Sequence, residues 1–130
     1  MVTISSYQIN QQGIDIYFTN NTYLPIALND DTGQIFWRYK VNTITNVKHP
    51  CIYLGYSQVT QTHYVVHNHY KLFGTAGISS WKEFAANQEV YRGDRPCINN
   101  SVIRIQKALD HVIRQEEYSF ANYNCQTLVN

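Results

Sequence analysis

Cysteine and charge are both scarce in this chain of 130 residues, and each shortage excludes a class of protein. The three cysteines are odd in number and widely spaced, as Cys51, Cys97 and Cys125, without a C-x-x-C pair. This pattern argues against a disulfide framework or a zinc knuckle and favours reduced thiols. The formal net charge is +1 and no basic run occurs, so the chain lacks the electrostatic footprint of a nucleic-acid-binding protein.

Long apolar runs are missing as well. No stretch approaches the ~18 consecutive apolar residues that a membrane-spanning helix needs, so we expect no transmembrane segment. Residues 1 to 7 lack the positive and apolar regions of a secretory signal peptide. We therefore expect a cytoplasmic protein, with export by a route without a cleaved signal left open. The length fits one domain over residues 1–130, and no repeat or linker divides it.

Residues rich in β-branched and aromatic types predict the strands of this domain. Residues 1–31 form a variable, β-rich lead-in, and the core follows over 32–130. The predicted strands cover residues 14–18, 34–41, 49–55 and 62–70, with a hairpin loop at 56–61 between the last two.

Predicted helices lie in the second half of the chain. The Ser80 to Glu83 spacing is that of a capping box, which predicts a helix over 81–86. Apolar residues at helical spacing, including Val102, Ile105, Leu109 and Val112, predict a helix over 101–117. A last helix is expected near Cys125. Strands first and helices afterwards predict an α+β domain with a small antiparallel sheet packed against helices.

The stretch N-Y-N-C-Q-T-L-V-N around Cys125 has two interpretations. Free cysteine is among the most buried residue types, so Cys125 fits an ordinary structural thiol. Alternatively, Asn124 caps a helix that begins at Cys125. The unpaired amides and the dipole of the helix N-terminus would then stabilise a thiolate nucleophile.

A thiolate nucleophile needs a base, and histidines occur on two neighbouring predicted strands. Two-residue alternation places His49 on one face of its strand, with Ile52 on the other. In the next strand His63, His67 and His69 share a face. If the two strands pair as a hairpin, His49 and one of these histidines lie side by side. One ring is then the base and the other orients it.

The ordered motifs H-P-C-I-Y-L-G, Y-V-V-H and Y-S-F-A-N-Y-N-C-Q-T-L-V resemble those of the lecithin:retinol acyltransferase-like proteins. This H-box/NC family is the circularly permuted branch of the NlpC/P60 papain-like superfamily. The resemblance extends from about residue 32 to residue 129. His49 stands at the H-box position, His67 at the second histidine and Tyr118 seven residues before Cys125. Gln34 replaces the aspartate that is usual in the family.

The resemblance implies a permuted papain-like fold with Cys125 as nucleophile, His49 as general base and acid, and His67 as third polar residue. The reaction would be acyl hydrolysis or acyl transfer through a thioester, on an ester, thioester or amide. Expected partners are acyl-bearing substrates such as a lipid, a peptide or an acylated protein, and no cofactor or metal is expected. The Cys125 amide and a second donor would hold the oxyanion, with Tyr53 and Tyr123 as candidates for that donor.

Two other hypotheses come from different classes. His63, His67 and His69 form H-x3-H-x-H on one strand face, a pattern that can bind zinc or iron. The eleven tyrosines include several on predicted strands, and these would suit a non-catalytic interaction module. Both hypotheses remain open from the sequence.

Overall fold

A computed structural model describes residues 3–40, 47–69, 74–93 and 101–120 of the chain. Within these ranges the protein is an α+β domain of eight strands and two helices, with antiparallel pairing throughout the sheet. The elements are β1 (Ile4–Ile9), β2 (Gly13–Phe18), β3 (Tyr23–Ala27), β4 (Ile35–Tyr39), β5 (Lys48–Ser57), β6 (Thr62–His69), β7 (Thr75–Ser80), α1 (Trp81–Ala85), β8 (Tyr91–Arg92) and α2 (Ser101–Arg114). The predicted α+β class with an antiparallel sheet is confirmed.

The long strand β5 organises the sheet. β6 pairs with one of its edges, and β7 follows β6. On the other edge β4 pairs with residues 48–52, and β3 meets β5 at the pair Ala27–Tyr56. β2 and β1 extend the sheet beyond β3, while β8 pairs with β4. β5 therefore has β4 on one side and β6 on the other at Ile52, the residue that pairs with both strands.

Side chains of β5 alternate between two separate apolar clusters, one on each face of the sheet. Ile52 and Leu54 belong to the larger cluster. Cys51 and Tyr53 belong to the smaller cluster. The alternation predicted from the sequence is therefore confirmed, and His49 stands two residues before Cys51 on the strand.

Helix α2 supplies the larger cluster with a stripe of apolar side chains. Ile105 and Leu109 are almost completely buried, as Ala108 is between them. Burial of each large aliphatic side chain contributes roughly 1.5–3 kcal/mol. Val102 was expected on the same stripe but is 46% exposed, because it lies in the first turn, outside the buried cluster.

The end of α2 differs from the prediction. The helix ends at Arg114 rather than at residue 117, because Gln115 adopts a left-handed φ of 56°. The Gln115 N–H bonds to the Val112 carbonyl at 3.2 Å, and the Glu116 N–H bonds to the His111 carbonyl at 3.0 Å. These two bonds form a Schellman motif, which satisfies the last carbonyls of the helix.

The short helix α1 agrees with its prediction to within one residue. The Ser80 side chain accepts a hydrogen bond from the Glu83 N–H at 3.1 Å, as the capping-box spacing requires. Ala86 closes the helix in the left-handed conformation, with φ of 51°. Phe84 on its inner face is fully buried in the smaller cluster. α1 therefore covers the sheet on the face opposite to α2.

Several features of the sheet, among them β8, were not anticipated. The lead-in contains β1 and β3 in addition to the predicted strand at 14–18. β7 was not predicted, because Thr75–Ser80 has small and polar residues and a glycine rather than a β-branched pattern. Gln34 is buried, and its side-chain amide donates to the carbonyls of Ile35 and Gly93, so it ties the entry of β4 to the residue after β8.

Candidate active site

His49 and His67 are in direct contact. Nε2 of His49 lies 2.9 Å from Nδ1 of His67, and the two rings are nearly perpendicular at 89°. The contact follows from the register of β5 and β6. Ile52 pairs with Val66, so His49, three residues before Ile52, lies close to His67, which follows Val66. The structure thus brings together the two histidines that the sequence analysis selected.

The surroundings of the pair favour neutral imidazoles. Burial lowers the pKa of His49 to about 4, and the nearby cations Arg38 and Lys40 lower it further in the same direction. His67 is only 6% exposed, and burial, with smaller contributions from His69 and His49, lowers its pKa to about 2. At neutral pH each ring therefore carries one N–H donor and one lone pair, which is the state a general base requires.

Arg38 supplies a positive charge next to the pair. It pairs with His49 across β4 and β5 and is 9% exposed. Its Nε donates to the Phe84 carbonyl, and a terminal nitrogen donates to the Tyr39 carbonyl at 3.1 Å. These bonds hold the cation where it opposes protonation of His49. Sequence reasoning missed Arg38, although its two-residue spacing from Phe36 could have indicated that it faces the site.

Aromatic rings pack around the histidines. Phe84 stacks on His49 with ring centroids 5.8 Å apart and makes an edge contact with His67 at 5.3 Å. Phe84 is fully buried, and Trp81 adjoins it at 6.1 Å. These contacts restrict the rotation of both imidazoles, because each ring has an aromatic neighbour on one side.

The hydrogen bonds of His67 continue away from His49. Nε2 of His67 lies 2.9 Å from the Ser79 hydroxyl, which itself lies 2.7 Å from Nε2 of His69. The rings of His67 and His69 also stack at 4.0 Å. Ser79 had no role in the sequence analysis, because the strand that carries it, β7, was not predicted.

Of the three cysteines, only Cys51 lies among the residues that the structure describes. Cys51 is fully buried, and burial raises the pKa of its thiol far above the ordinary value, so it is not a nucleophile. Cys125, Asn124 and Tyr123 lie outside the described residues, as does Cys97. The predicted helix near Cys125 falls in the same undescribed range.

Tyr53 is engaged elsewhere than at the histidine pair. Its hydroxyl lies 2.6 Å from Nδ1 of His63 and accepts a hydrogen bond from the Asn29 amide at 3.0 Å. His49 and Tyr53 are four residues apart on one strand, which corresponds to ~13 Å. The structure therefore does not bring this candidate oxyanion donor to His49.

A cavity of about 310 Å³ has Tyr53 in its wall. Its lining combines aromatic walls with polar groups, namely Asp31, Phe36, Tyr53, His63, Trp81 and Arg92. Arg92 and Asp31 form an ion pair at 3.2 Å, and Arg92 also lies over the Phe36 ring. Trp81 links this cavity to Phe84 and so to the histidine pair.

The metal hypothesis requires three histidine nitrogens that converge on one point. Instead, both ring nitrogens of His67 are hydrogen-bonded, its ring stacks on His69, and His63 bonds to Tyr53. Within the described ranges, no group of three or more His, Cys, Asp or Glu residues is arranged to hold a metal ion. The H-x3-H-x-H spacing on β6 therefore does not correspond to a ligand set among these residues.

The segment after α2 returns to the strand that carries His67. The Asn68 amide donates to the Tyr118 carbonyl at 2.9 Å, and the Tyr118 N–H donates to the Asn68 side chain at 2.9 Å. The Ala76 N–H also donates to the Glu116 carbonyl at 2.8 Å. Tyr118 is buried, so the chain is anchored seven residues before Cys125.

Comparisons with protein-family models, curated proteins and solved structures find no match to this chain. In the described ranges, neither helix has the length and apolar character needed to cross a membrane. Function is therefore argued from the geometry of the site and from the motifs in the sequence.

Proposed function

We propose that the protein is a cysteine-dependent acyl hydrolase or acyltransferase with a permuted papain-like fold. Cys125 is the nucleophile, His49 the general base and acid, and His67 the residue that orients His49. The observation that carries this proposal is the 2.9 Å contact between two imidazoles whose pKa values are lowered by burial. A neutral ring held by a second ring is the arrangement that thiol activation needs.

One ring nitrogen of His49, Nδ1, is left to accept a proton. Nε2 is used in the contact with His67, and no partner of Nδ1 occurs among the described residues. In the proposed reaction Nδ1 takes the proton of the Cys125 thiol, and the sulfur attacks the substrate carbonyl carbon. The tetrahedral intermediate collapses to a thioester as His49 returns the proton to the leaving group. Water or another acceptor then releases the acyl group by the same two steps.

The anchor at Tyr118 supports Cys125 as the nucleophile. Tyr118 is bonded to Asn68, the residue that follows His67 on β6. Seven residues span at most ~25 Å when fully extended. Cys125 is therefore within reach of His49, whereas the buried Cys51 thiol is inert. A reactive thiol of this kind also fits a reducing compartment such as the cytoplasm.

The cavity beside Trp81 suits the acyl-bearing part of a substrate. Its aromatic walls offer apolar contact, and the Asp31–Arg92 ion pair and His63 supply polar contact in the same cavity. A lipid acyl chain and the acyl group of an acylated protein present an apolar group next to a carbonyl, and so does a peptide with an apolar side chain. The backbone N–H of Cys125 is the first donor we propose for the oxyanion.

The test is acyl-enzyme formation on the full chain. Intact-mass analysis after incubation with p-nitrophenyl esters of increasing length and with peptide amides should show an acyl adduct on Cys125. Cys125→Ala should abolish both adduct and turnover, while Cys97→Ala, the matched control, should retain both. His49→Gln should lower turnover by roughly 10²- to 10⁴-fold. Turnover that survives Cys125→Ala would contradict the proposal.

A second candidate is a non-catalytic interaction module on the same fold. An aromatic cluster of Trp37, Tyr39 and Tyr91 favours it, because Tyr91 is exposed and stacks on Trp37 at 4.6 Å. Lys48 lies over the Trp37 ring at 4.3 Å. If no substrate forms an adduct while Trp37→Ala abolishes binding to a partner, this second function replaces the first.

A further inference from the structure

The contacts of His67 form part of a longer hydrogen-bonded chain. It runs from His49 Nε2 to His67 Nδ1 at 2.9 Å, from His67 Nε2 to the Ser79 hydroxyl at 2.9 Å, and from Ser79 to His69 Nε2 at 2.7 Å. We call these four residues the histidine–serine chain. Ser79 is 3% exposed and His67 is 6% exposed, so water has little access to the two central members.

The sheet is built so that this chain can form. His67 pairs with Gly77 on β7, and Ser79 pairs with Val65. Because Gly77 has no side chain, the ring of His67 meets no side chain directly opposite and can reach diagonally to Ser79. His69 lies two residues further along the same face of β6 and stacks on His67 at 4.0 Å. Three imidazoles and one hydroxyl are thus held in a fixed order.

Proton counting couples the members of this chain. A neutral imidazole has one N–H and one lone pair, and a hydroxyl donates a single hydrogen bond. If His49 carries its proton on Nε2, then His67 donates from Nε2 to Ser79, and Ser79 donates to His69. In the opposite, inward direction His69 donates from Nε2 to Ser79, and Ser79 donates to Nε2 of His67. His67 then donates from Nδ1 to His49, so His49 must carry its proton on Nδ1. The tautomer of His49 therefore depends on the direction of the whole chain.

The outward direction, in which His49 donates to His67 and Ser79 donates to His69, is the favoured one. It places His49 and His67 in the Nε2–H tautomer, which isolated histidine side chains prefer, whereas the inward direction places only His69 in that form. Aligned hydrogen bonds strengthen one another in a buried site, so all three bonds should run in one direction rather than in a mixture of directions. We infer that Ser79 and His69 are positioning residues, which act through His67 to keep the proton of His49 on Nε2 and so leave Nδ1 as a lone pair.

The catalytic meaning of this inference rests on the proposed function, since Nδ1 is the nitrogen that would receive the Cys125 proton. The tautomer itself is a property of the folded protein and needs no substrate. Nitrogen-15 NMR of labelled histidine distinguishes the two tautomers directly. The inference and the proposed function can therefore fail separately.

The experiment compares the full chain with three variants at pH 7.5. Ser79→Ala removes the hydroxyl, Ser79→Thr keeps it on a residue suited to a strand, and His69→Gln keeps a polar group in place of the imidazole. The wild type should show His49 as one Nε2–H tautomer. Ser79→Ala should convert His49 to a mixture of tautomers, and Ser79→Thr should restore the single form. His69→Gln provides the same test if Ser79→Ala fails to fold.

Cys125 alkylation by iodoacetamide is measured on the same samples. A parallel loss in rate with Ser79→Ala and recovery with Ser79→Thr supports both the histidine–serine chain and the proposed function. The expected tautomers with an unreactive Cys125 support the chain and count against the function. A mixture of His49 tautomers in the wild type, or a single tautomer unchanged by Ser79→Ala and His69→Gln, overturns the inference.

Discussion

At the residue scale, the site depends on what surrounds each histidine. The sequence identifies His49 and His67 by their motifs and by strand alternation. It does not reveal that both are kept neutral, because that property comes from burial and from Arg38, which is brought beside His49 by β4. The same burial makes the Cys51 thiol inert, although Cys51 stands only two residues from His49. Composition and spacing alone cannot predict that burial leaves the two histidines neutral and the Cys51 thiol inert.

Acid should destabilise the folded protein through the histidine pair. The ordinary pKa of 6.5 falls to about 4 for His49 and about 2 for His67 on folding. Between these values and 6.5 the unfolded chain binds more protons, so the free energy of unfolding decreases as the pH falls. The contribution is fully present above about 6.5 and is lost progressively below it. Urea unfolding at a series of pH values from 7.5 to 3.5 measures this change.

The control for this measurement is the double variant His49→Gln with His67→Asn. All other ionisable groups are the same in both proteins, so only the histidine contribution differs between them. The double variant should lose less stability on acidification from pH 6.5 to 4. Parallel stability curves for the two proteins would show that the pair has no lowered pKa values.

At the scale of elements, prediction succeeded where a pattern is local. The alternation of β5 and β6 and the serine cap of α1 were both correct. β7 was missed because its small, polar sequence has no strand pattern, and it forms only through pairing with β6. That omission hid Ser79, since a residue cannot be assigned to a site before its strand is known. The end of α2 was misplaced for a similar reason, because the left-handed Gln115 is not a glycine.

Asn68→Ala should loosen the segment that leads to Cys125. The substitution removes both hydrogen bonds to the backbone of Tyr118, and each buried group left unpaired costs about 1–3 kcal/mol. We expect lower stability in urea and slower alkylation of Cys125. Asn68→Asp keeps the acceptor for the Tyr118 N–H and should lose less. Unchanged exchange protection of the Tyr118 amide in Asn68→Ala would refute the anchor.

Gly55→Ala should disturb the junction of β3 and β5. Gly55 has a φ of 152°, and an added Cβ would lie 2.1 Å from the Ala27 carbonyl oxygen, so the backbone must move. We expect a loss of roughly 2–4 kcal/mol in thermal or urea unfolding. Gly74→Ala is the matched control, because Gly74 has a φ of 80° but nothing near its Cβ position. Equal losses in the two variants would show that the close approach to Ala27 is unimportant.

At the scale of the whole molecule, the sheet has the main apolar core on one face and the candidate site on the other. α2 and the larger cluster cover one face and supply most of the buried aliphatic core. The other face carries the histidine pair, α1 and the aromatic-walled cavity. The fold class was predictable because strands precede helices in the sequence. The cavity and the histidine–serine chain were not, because they join residues from strands β4 to β8 and from α1 through long-range contacts.

The central claim is that His49 activates Cys125, and site-resolved alkylation tests it most directly. Iodoacetamide labelling at pH 7, followed by peptide mass spectrometry, gives separate rates for Cys51, Cys97 and Cys125. We predict that Cys125 reacts fastest in the wild type and that His49→Gln slows it on the order of tenfold, because the variant lacks the base that takes the thiol proton as the sulfur attacks. The rate of Cys97 should not change. A Cys125 rate that is no faster than that of Cys97, or that His49→Gln leaves unaltered, would contradict the account.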